Sequence, residues 1–219
     1  MKFFLDTANL KELQAGVDLG VVDGVTTNPT YIAKEGRPTH EQIRAICEIV
    51  DGDISAEVVA TTAKEMIEEG RSLARIHPNV VVKCPLIREG IKATKALSSE
   101  SIRVNVTLCF TPMQALLAAK AGAYIISPFV GRLDDINTNG MDLVRDIVAL
   151  YKIHGFPTKV LAASMRGPMH VFDAAKAGAH IATMPFKVLD MLFNHPLTDK
   201  GLESFLADYR KAFQEATVG

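Results

Sequence analysis

The chain has 219 residues, of which 48% are hydrophobic and 22% are charged, and its formal net charge is −1. This composition is typical of a globular protein, and the dispersed basic residues argue against a nucleic-acid partner or a membrane-surface patch. No apolar run approaches the roughly 18 residues of a transmembrane helix, and the N-terminal MKFFLDTANL reaches an aspartate too early for a signal peptide.

Short β-branched runs, separated by amphipathic helical patterns, recur along the whole chain. In chain order, strands are predicted at residues 2–6, 24–28, 53–59, 80–83, 103–108, 124–129, 159–164 and 180–184. Intervening stretches such as AKEMIEEGRSLARIH and MDLVRDIVALYKIHG have helical periodicity. Two segments, AAKAGAYIISPF and AAKAGAHIATMPF, repeat one helix–glycine–strand unit.

Eight strands alternating with helices predict an α/β fold, a single-domain (β/α)8 TIM barrel over residues 1–195. An open doubly wound sheet uses similar strands and remains an alternative, although eight units fill the chain without a domain break. Residues 196–219 then add a helical extension that packs on the barrel or, as we expect, on a neighbouring subunit. Its apolar stripe consists of Leu202, Phe205, Leu206, Tyr209 and Phe213.

The cysteines and histidines indicate neither a metal site nor a disulfide framework. Cys47, Cys84 and Cys109 are odd in number and lack metal-ligand spacing, and the six histidines form no ligand pattern. We therefore expect no metal, and reduced thiols in a cytoplasmic protein.

Polar side chains lie near the carboxyl end of most of the predicted strands. Because every second side chain of a strand points the same way, Asp6 shares a face with Phe4, and Lys83 with Val81. The same alternation pairs Asn28 with Thr26, Glu57 with Ser55, Asn105 with Thr107, Ser127 with Phe129, and Ser164 with Ala162. In a barrel these polar residues would converge at the carboxyl-end mouth, where such enzymes place their chemistry.

Lys83 follows three valines in VVVKCP, and a buried ammonium is costly unless it is paired or loses its proton. One interpretation is an internal ion pair with Asp6 or Glu57 that fixes the barrel register. The other is a nucleophilic amine that forms a Schiff base with a carbonyl. Apolar neighbours favour the neutral amine and a close carboxylate favours the ammonium, so these residues alone leave both interpretations open.

Five blocks, FLDTAN, GVTTNP, VVVKCP, SPFVGRLDD and LAASMR, resemble in order and spacing the transaldolase family. They are most similar to its short members, which include the fructose-6-phosphate aldolases, and the resemblance runs from about residue 1 to 190. It implies a (β/α)8 barrel without a cofactor, with Lys83 as the Schiff-base lysine on the fourth strand. It also implies a homo-oligomer, a ring of five subunits or a stacked decamer, in which the C-terminal helix reaches a neighbour.

The resemblance also implies roles for the other polar residues. Asp6 would handle the proton of the substrate's C4 hydroxyl, and Glu57 with Thr107 would hold the water that shuttles protons. Asn28 and Asn105 would hydrogen-bond the dihydroxyacetone unit, and Arg132, Ser164 and Arg166 would hold the sugar phosphate. We also expect Thr26 to bind the substrate, and Ser127 and Phe129 to shape the pocket.

Three of these residues have plainer alternatives. Asp6 could cap the following helix, although Thr7 or Asn9 could do so instead. Arg132 could form a surface salt bridge with one of the aspartates that follow it, at positions 134 and 135, and Arg166 could be a solvated loop residue. The family resemblance favours phosphate binding for both arginines, whose bidentate fork suits that group.

Within the family, the simple aldolases typically carry Gln where this chain has Glu57 and Tyr where it has Phe129. Both residues are therefore of the transaldolase type. We expect a transferase of the pentose phosphate pathway that moves dihydroxyacetone from sedoheptulose 7-phosphate to glyceraldehyde 3-phosphate. The alternatives are a fructose-6-phosphate aldolase that releases free dihydroxyacetone, and a barrel that binds sugar phosphates without chemistry.

Overall fold

Eight parallel strands close into a barrel in the computed structural model, which describes residues 1–215 and the side chains of residues 1–213. The strands are β1 (Lys2–Asp6), β2 (Gly24–Thr26), β3 (Asp53–Glu57), β4 (Val80–Pro85), β5 (Val104–Cys109), β6 (Ile125–Pro128), β7 (Lys159–Ala162) and β8 (Ile181–Met184). Each strand pairs with the next along the chain, and β8 closes the sheet on β1. The predicted TIM barrel is confirmed, and the open doubly wound sheet is wrong.

Helices follow the strands and cover the outer wall of the barrel. Within residues 1–215 they are α1 (Leu10–Asp18), α2 (Pro29–Glu35), α3 (Thr39–Ile49), α4 (Ala63–Ala74), α5 (Arg88–Ser99), α6 (Pro112–Lys120), α7 (Val130–Asp134), α8 (Gly140–His154), α9 (Pro168–Lys176), α10 (Phe186–Met191) and α11 (Pro196–Glu215). None of them combines the length and apolarity that crossing a bilayer requires.

Capping residues fix where several helices begin after their strands. The Asn9 side chain accepts hydrogen bonds from two backbone N–H groups at the start of α1, and Asn28 caps α2 ahead of Pro29. Thr111 and Gln114 form a reciprocal capping box at α6. These local signals keep the connections at the mouth of the barrel short and therefore position the residues that they carry.

The barrel has two apolar layers. The larger one lies between the sheet and the helices, and the smaller one fills the barrel interior with Phe4, Val81, Ile125, Leu161, Ala163 and Ile181. The ring of Phe4 is fully buried and lies against Gly24, where a Cβ atom would come within 2.6 Å of it. The inner layer supports the polar residues at the mouth from below.

The side-chain orientation at the end of β7 differs from the predicted alternation. On β7, Leu161 and Ala163 point into the barrel, whereas Ala162 packs in the outer layer, so the predicted inward pairing of Ser164 with Ala162 is wrong. Ser164 lies beyond the end of β7 in the left-handed region, with φ of 61°, which turns the chain and brings the residue to the mouth. Asn28 lies beyond the end of β2, where its extended backbone leads into α2, and it lines the same cavity as Thr26.

The C-terminal helix α11 leaves its apolar stripe exposed in the single chain. The exposed fractions are 58% for Leu202, 73% for Phe205, 45% for Leu206 and 62% for Tyr209, and Phe213 is exposed as well. Residues 216–219 of the predicted extension lie outside the described residues. The stripe is thus a large apolar surface that the chain's own barrel does not cover.

Candidate active site

A cavity of about 760 Å³ opens at the carboxyl ends of the strands. Ten of the twelve predicted site residues line it: Asp6, Thr26, Asn28, Lys83, Thr107, Ser127, Phe129, Arg132, Ser164 and Arg166. The other two, Glu57 and Asn105, lie on the strands that flank Lys83 but do not line this cavity. Among residues 1–215, no group of three His, Cys, Asp or Glu side chains could hold a metal ion.

Lys83 lies at the floor of the cavity with only 8% of its side chain exposed. The register of the sheet places Glu57 directly beside it on β3 and Asn105 directly beside it on β5. The Nζ atom of Lys83 is 2.9 Å from Oε2 of Glu57 and donates a hydrogen bond of 2.9 Å to the backbone carbonyl of Thr27. Pairing with a carboxylate and a carbonyl offsets the cost of burying the ammonium.

Asp6 is held at the end of β1 by hydroxyl groups. Its Oδ1 atom accepts a hydrogen bond of 2.7 Å from the Thr26 hydroxyl, which itself lies 2.6 Å from the Thr183 hydroxyl. Because Thr26 has a single proton to donate, Thr183 donates to Thr26 and the two hydroxyls form a chain toward the carboxylate. The Oδ2 atom is 3.4 Å from the Tyr31 hydroxyl, which also lines the cavity.

Burial raises the pKa of Asp6 above the ordinary carboxyl value. The hydrogen bond from Thr26, the positive charge of Lys83 and the hydrogen bond from Tyr31 act in the opposite direction, but burial is the largest effect. Asn9, and not Asp6, caps α1. A buried carboxyl with a raised pKa beside a buried lysine is a typical arrangement for proton transfer.

Two further polar residues of β5 have different surroundings. The Asn105 amide is fully buried, donating to the Ser55 hydroxyl over 3.0 Å and accepting from the Ser127 hydroxyl over 2.7 Å. The Thr107 hydroxyl is buried without a hydrogen-bond partner in the described part of the chain, and its residue lines the cavity. Asn105 is therefore satisfied within the protein, whereas Thr107 can still bond a small polar group.

Glu57 lies between two cavities. It contacts Lys83, which lines the main cavity, and it lines a second cavity of about 290 Å³ together with Asn28, Arg37 and Glu69. The carboxylate thus contacts Lys83 and can also be reached from a second opening.

Two arginines lie at the rim of the main cavity. Arg132 is on α7 and makes no ion pair with any residue that the structure describes, so the alternative of a surface salt bridge is wrong. Arg166, beyond β7, pairs with Asp135 at 2.6 Å, and more than half of both side chains is exposed. The Arg166 side chain crosses Gly131 so closely that a Cβ atom there would collide with it.

A histidine fixes the backbone beside Arg166. The Nδ1 atom of His170 accepts a hydrogen bond of 3.1 Å from the Arg166 backbone N–H, and its Nε2 atom lies 3.1 Å from Oδ2 of Asp134. A further Asp134 oxygen accepts from the backbone N–H of Gly140 at the start of α8. Arg166 is therefore held at both its backbone and its side chain.

Several cavity residues were not among the predicted site residues. Tyr31, Asp135, Thr183 and Lys187 all line the cavity. Tyr31, Asp135 and Lys187 lie on helices or beyond their ends, where the two-residue alternation of strands gives no information. Thr183 is on β8, where it shares a face with the inward-pointing Ile181, so strand alternation is the sequence signal that indicates it.

Comparison with known proteins identifies the class to which this barrel belongs. A model of the Transaldolase/Fructose-6-phosphate aldolase family matches residues 3–217. A "Probable transaldolase" of Desulfatibacillum aliphaticivorans is 59% identical over 212 residues, which cover 97% of this chain and 99% of the relative. The "Probable transaldolase 1" of Bacillus cereus is 58% identical over 96% of this chain and 98% of the relative. The chain belongs to the transaldolase/fructose-6-phosphate aldolase family, as the five sequence blocks predicted.

Replacing Asp6 by Asn should stabilise the protein at neutral pH. Because the native pKa of Asp6 is raised, the ionised carboxylate is disfavoured in the folded state at every pH above that pKa. Asp6→Asn removes this cost and keeps an oxygen that can accept from Thr26. Thermal unfolding at pH 7 should therefore show a higher midpoint for the variant.

The advantage should shrink as the pH falls from the raised pKa of folded Asp6 to the ordinary carboxyl pKa, and it should be absent at lower pH, where Asp6 is protonated in both folded and unfolded chains. Asp142→Asn is the matched control, since that carboxylate is 62% exposed and its change should stay within about 0.5 kcal/mol. A midpoint for Asp6→Asn at or below that of the wild type at pH 7 would contradict the prediction.

Proposed function

We propose that the protein is a cofactor-free transaldolase that transfers a dihydroxyacetone unit from sedoheptulose 7-phosphate to glyceraldehyde 3-phosphate. The products are erythrose 4-phosphate and fructose 6-phosphate, and the reaction, part of the pentose phosphate pathway, runs in both directions. The observation that carries the proposal is the buried Lys83, 2.9 Å from Glu57, at the floor of a cavity with Arg132 and Arg166 at its rim. The proposed setting is the cytoplasm, where reduced thiols persist.

Lys83 would begin the reaction by attacking the C2 carbonyl of the ketose. Its Nζ atom must first be neutral, and Glu57 is the nearest group that can take the proton. The resulting carbinolamine loses water to give an iminium ion. Glu57 returns the proton to the departing hydroxyl, and the Thr107 hydroxyl, which has no partner among the described residues, would orient the water.

Asp6 would then take the proton of the C4 hydroxyl. The C3–C4 bond breaks, its electron pair moves into the iminium to form an enamine, and the C4 oxygen becomes the carbonyl of the departing aldose. The acceptor aldehyde reverses these events: the enamine carbon attacks it, and protonated Asp6 gives its proton to the new hydroxyl. The raised pKa of Asp6 suits a group that must both take and return a proton.

The remaining predicted residues would bind the substrate. Arg132, Arg166 and Ser164 line the cavity and would hold the phosphate. Asn28, Thr26 and Ser127 also line it and would lie beside the reacting carbons. Asn105 would act mainly through Ser127, because its amide is satisfied within the protein. Phe129 packs edge-on against Phe110 with ring centroids 5.7 Å apart and would form an apolar wall.

Transfer is favoured over release of free dihydroxyacetone by two residues. Phe129 provides no phenol that could protonate the enamine, and Glu57 is a carboxylate where the aldolases typically carry Gln. The relatives from Desulfatibacillum aliphaticivorans and Bacillus cereus, both named as probable transaldolases, support the same choice. A barrel that only binds sugar phosphates would need the rim arginines, but it would have no use for a buried Lys83 beside two carboxylates.

Borohydride reduction in the presence of fructose 6-phosphate should attach a three-carbon unit to Lys83. Peptide mass spectrometry should find the label on the Lys83 peptide and none in Lys83→Met. The matched control is Lys187→Met, because Lys187 lines the same cavity without being on a strand, and this variant should still label at Lys83. Label on another lysine would end the proposal.

The same preparation decides between transfer and aldol cleavage. With fructose 6-phosphate alone, little free dihydroxyacetone should form, and adding erythrose 4-phosphate should yield sedoheptulose 7-phosphate. Equal production of free dihydroxyacetone with and without the acceptor would instead identify a fructose-6-phosphate aldolase.

Removing either rim arginine should raise KM for phosphorylated sugars. A lost charge-assisted contact costs about 1.5–3 kcal/mol, so Arg132→Ala and Arg166→Ala should each weaken binding by roughly 10- to 150-fold. Arg145→Ala is the control, since this arginine is exposed on α8 and pairs with Asp142 away from the cavity. Initial rates with free dihydroxyacetone as donor should change much less, and equal losses with both donors would indicate a structural role.

We further propose that α11 joins copies of this chain into a homo-oligomer, a pentamer or a stacked decamer. Each large apolar side chain gains roughly 1.5–3 kcal/mol on burial, and the stripe of α11 is exposed in the single chain. Light scattering should show an oligomer for the full chain and a smaller species after deletion of residues 198–219.

A point variant separates loss of the stripe from loss of the helix. Phe205→Glu changes a residue of the stripe that is 73% exposed, whereas Lys211→Glu changes an exposed charged residue of the same helix. Only the first should lower the mass in solution. A full-length protein that is monomeric, or a truncated one that keeps its assembly, would show that α11 serves its own subunit.

A further inference from the structure

Tyr31 presents a phenol to the main cavity from the first turn of α2. Its backbone N–H is held by the Asn28 side chain over 2.9 Å, which fixes the turn of helix that carries the ring. The side chain is half-buried, and its hydroxyl is 3.4 Å from Oδ2 of Asp6. None of the five family-like sequence blocks contains this residue.

The phenol lies between the floor and the rim of the cavity. The exposed fraction of the side chain is 8% for Lys83 at the floor and 54% for Arg166 at the rim. Tyr31 is half-buried, so its exposure is intermediate. The charges of both Asp6 and Arg166 act on the phenol. Burial, together with Asp6, raises the pKa of Tyr31 to about 12, so its hydroxyl remains a hydrogen-bond donor at neutral pH.

This depth corresponds to one part of a bound ketose. If C2 is joined to Lys83 and the C4 oxygen lies at Asp6, the chain of the sugar must continue past C5 toward the rim arginines. The first group beyond the reacting carbon is the C5 hydroxyl, which is the hydroxyl next to the carbonyl in the acceptor aldose. Two cavity-lining hydroxyls lie beside Asp6: Thr26 is on β2 and already donates to the carboxylate, whereas Tyr31 is on α2 and is also within range of the charge of Arg166 at the rim.

We propose that Tyr31 determines acceptor specificity by hydrogen bonding to the hydroxyl next to the carbonyl of the acceptor aldehyde. The inference rests on the proposed transfer reaction and adds a residue to its acceptor site. Tyr31 selects for 2-hydroxyaldehydes over aldehydes that lack this group.

The contact with Asp6 leaves the phenol free for this role. At 3.4 Å the Tyr31–Asp6 hydrogen bond is long, whereas Thr26 already holds the other carboxylate oxygen at 2.7 Å. A phenol can donate one hydrogen bond and accept another, so it can donate to Asp6 and accept from the substrate hydroxyl. The principal restraint on Asp6 is therefore Thr26, and loss of the phenol affects the acceptor more than the carboxylate.

Tyr31→Phe tests the proposal because it removes the hydroxyl and keeps the ring. With fructose 6-phosphate as donor, kcat/KM is measured for glyceraldehyde and for propanal, two unphosphorylated three-carbon aldehydes that differ in their hydroxyl groups. The variant should lose roughly three- to tenfold with glyceraldehyde, the effect of one neutral hydrogen bond, and less than about twofold with propanal.

Tyr124→Phe is the matched control, since it removes a phenol that bonds Asp53 at the opposite end of the barrel and should leave the ratio of the two acceptors unchanged. Equal losses with both aldehydes would show that Tyr31 acts through Asp6, and no loss with glyceraldehyde would show that it does not contact the acceptor. Either result overturns the inference.

Borohydride labelling of Lys83 separates this inference from the transfer reaction on which it rests. If the wild type and Tyr31→Phe both label while the acceptor ratio stays constant, only the acceptor role is wrong. If Lys83 of the wild type is not labelled, the proposed transfer reaction is wrong, and the acceptor role of Tyr31 is then wrong as well.

Discussion

The buried pair of Lys83 and Glu57 is the interaction on which the arrangement of the site depends. The two residues are direct neighbours across β3 and β4, so the register of the sheet sets their separation. Removing one partner of a buried pair costs about 3–5 kcal/mol, because the other charge is left without compensation. The lysine can therefore be buried only in a barrel whose third and fourth strands keep this register. Closure of all eight strands enforces it.

The inner apolar layer explains how polar residues at the floor of the cavity are shielded from water on one side. Phe4, Val81 and Leu161 belong to an inner apolar cluster that closes the barrel interior beneath the cavity. Lys83 and Asp6 stand one layer higher on β4 and β1 and are shielded from water on that side. Burial is the largest cause of the raised pKa of Asp6, so the packing of the barrel sets the proton affinity of this carboxyl.

The sequence predicted the barrel well because strand alternation and strand count are local properties. The same alternation placed Asp6, Glu57 and Lys83 inside the barrel, since all three lie within regular strands. It failed at Ser164, where a left-handed backbone turn replaces the alternation. Tyr31 could not be found in this way because a helix carries it, and the partners of Arg166 depend on loop geometry that no periodicity encodes.

At the rim of the cavity, Asp135 is the counter-ion of Arg166, and an incoming anion would have to displace it. An anion that reaches Arg166 replaces a carboxylate already 2.6 Å away, so part of its attraction is spent in separating the existing pair. Because of this exchange, an anion would bind Arg166 more weakly than it would bind an unpaired guanidinium. When the anion leaves, Arg166 can pair with Asp135 again. Residence times of an anion at Arg166 would therefore be shorter than at an unpaired arginine, which suits the proposed transfer reaction, in which the same cavity empties and refills in every cycle.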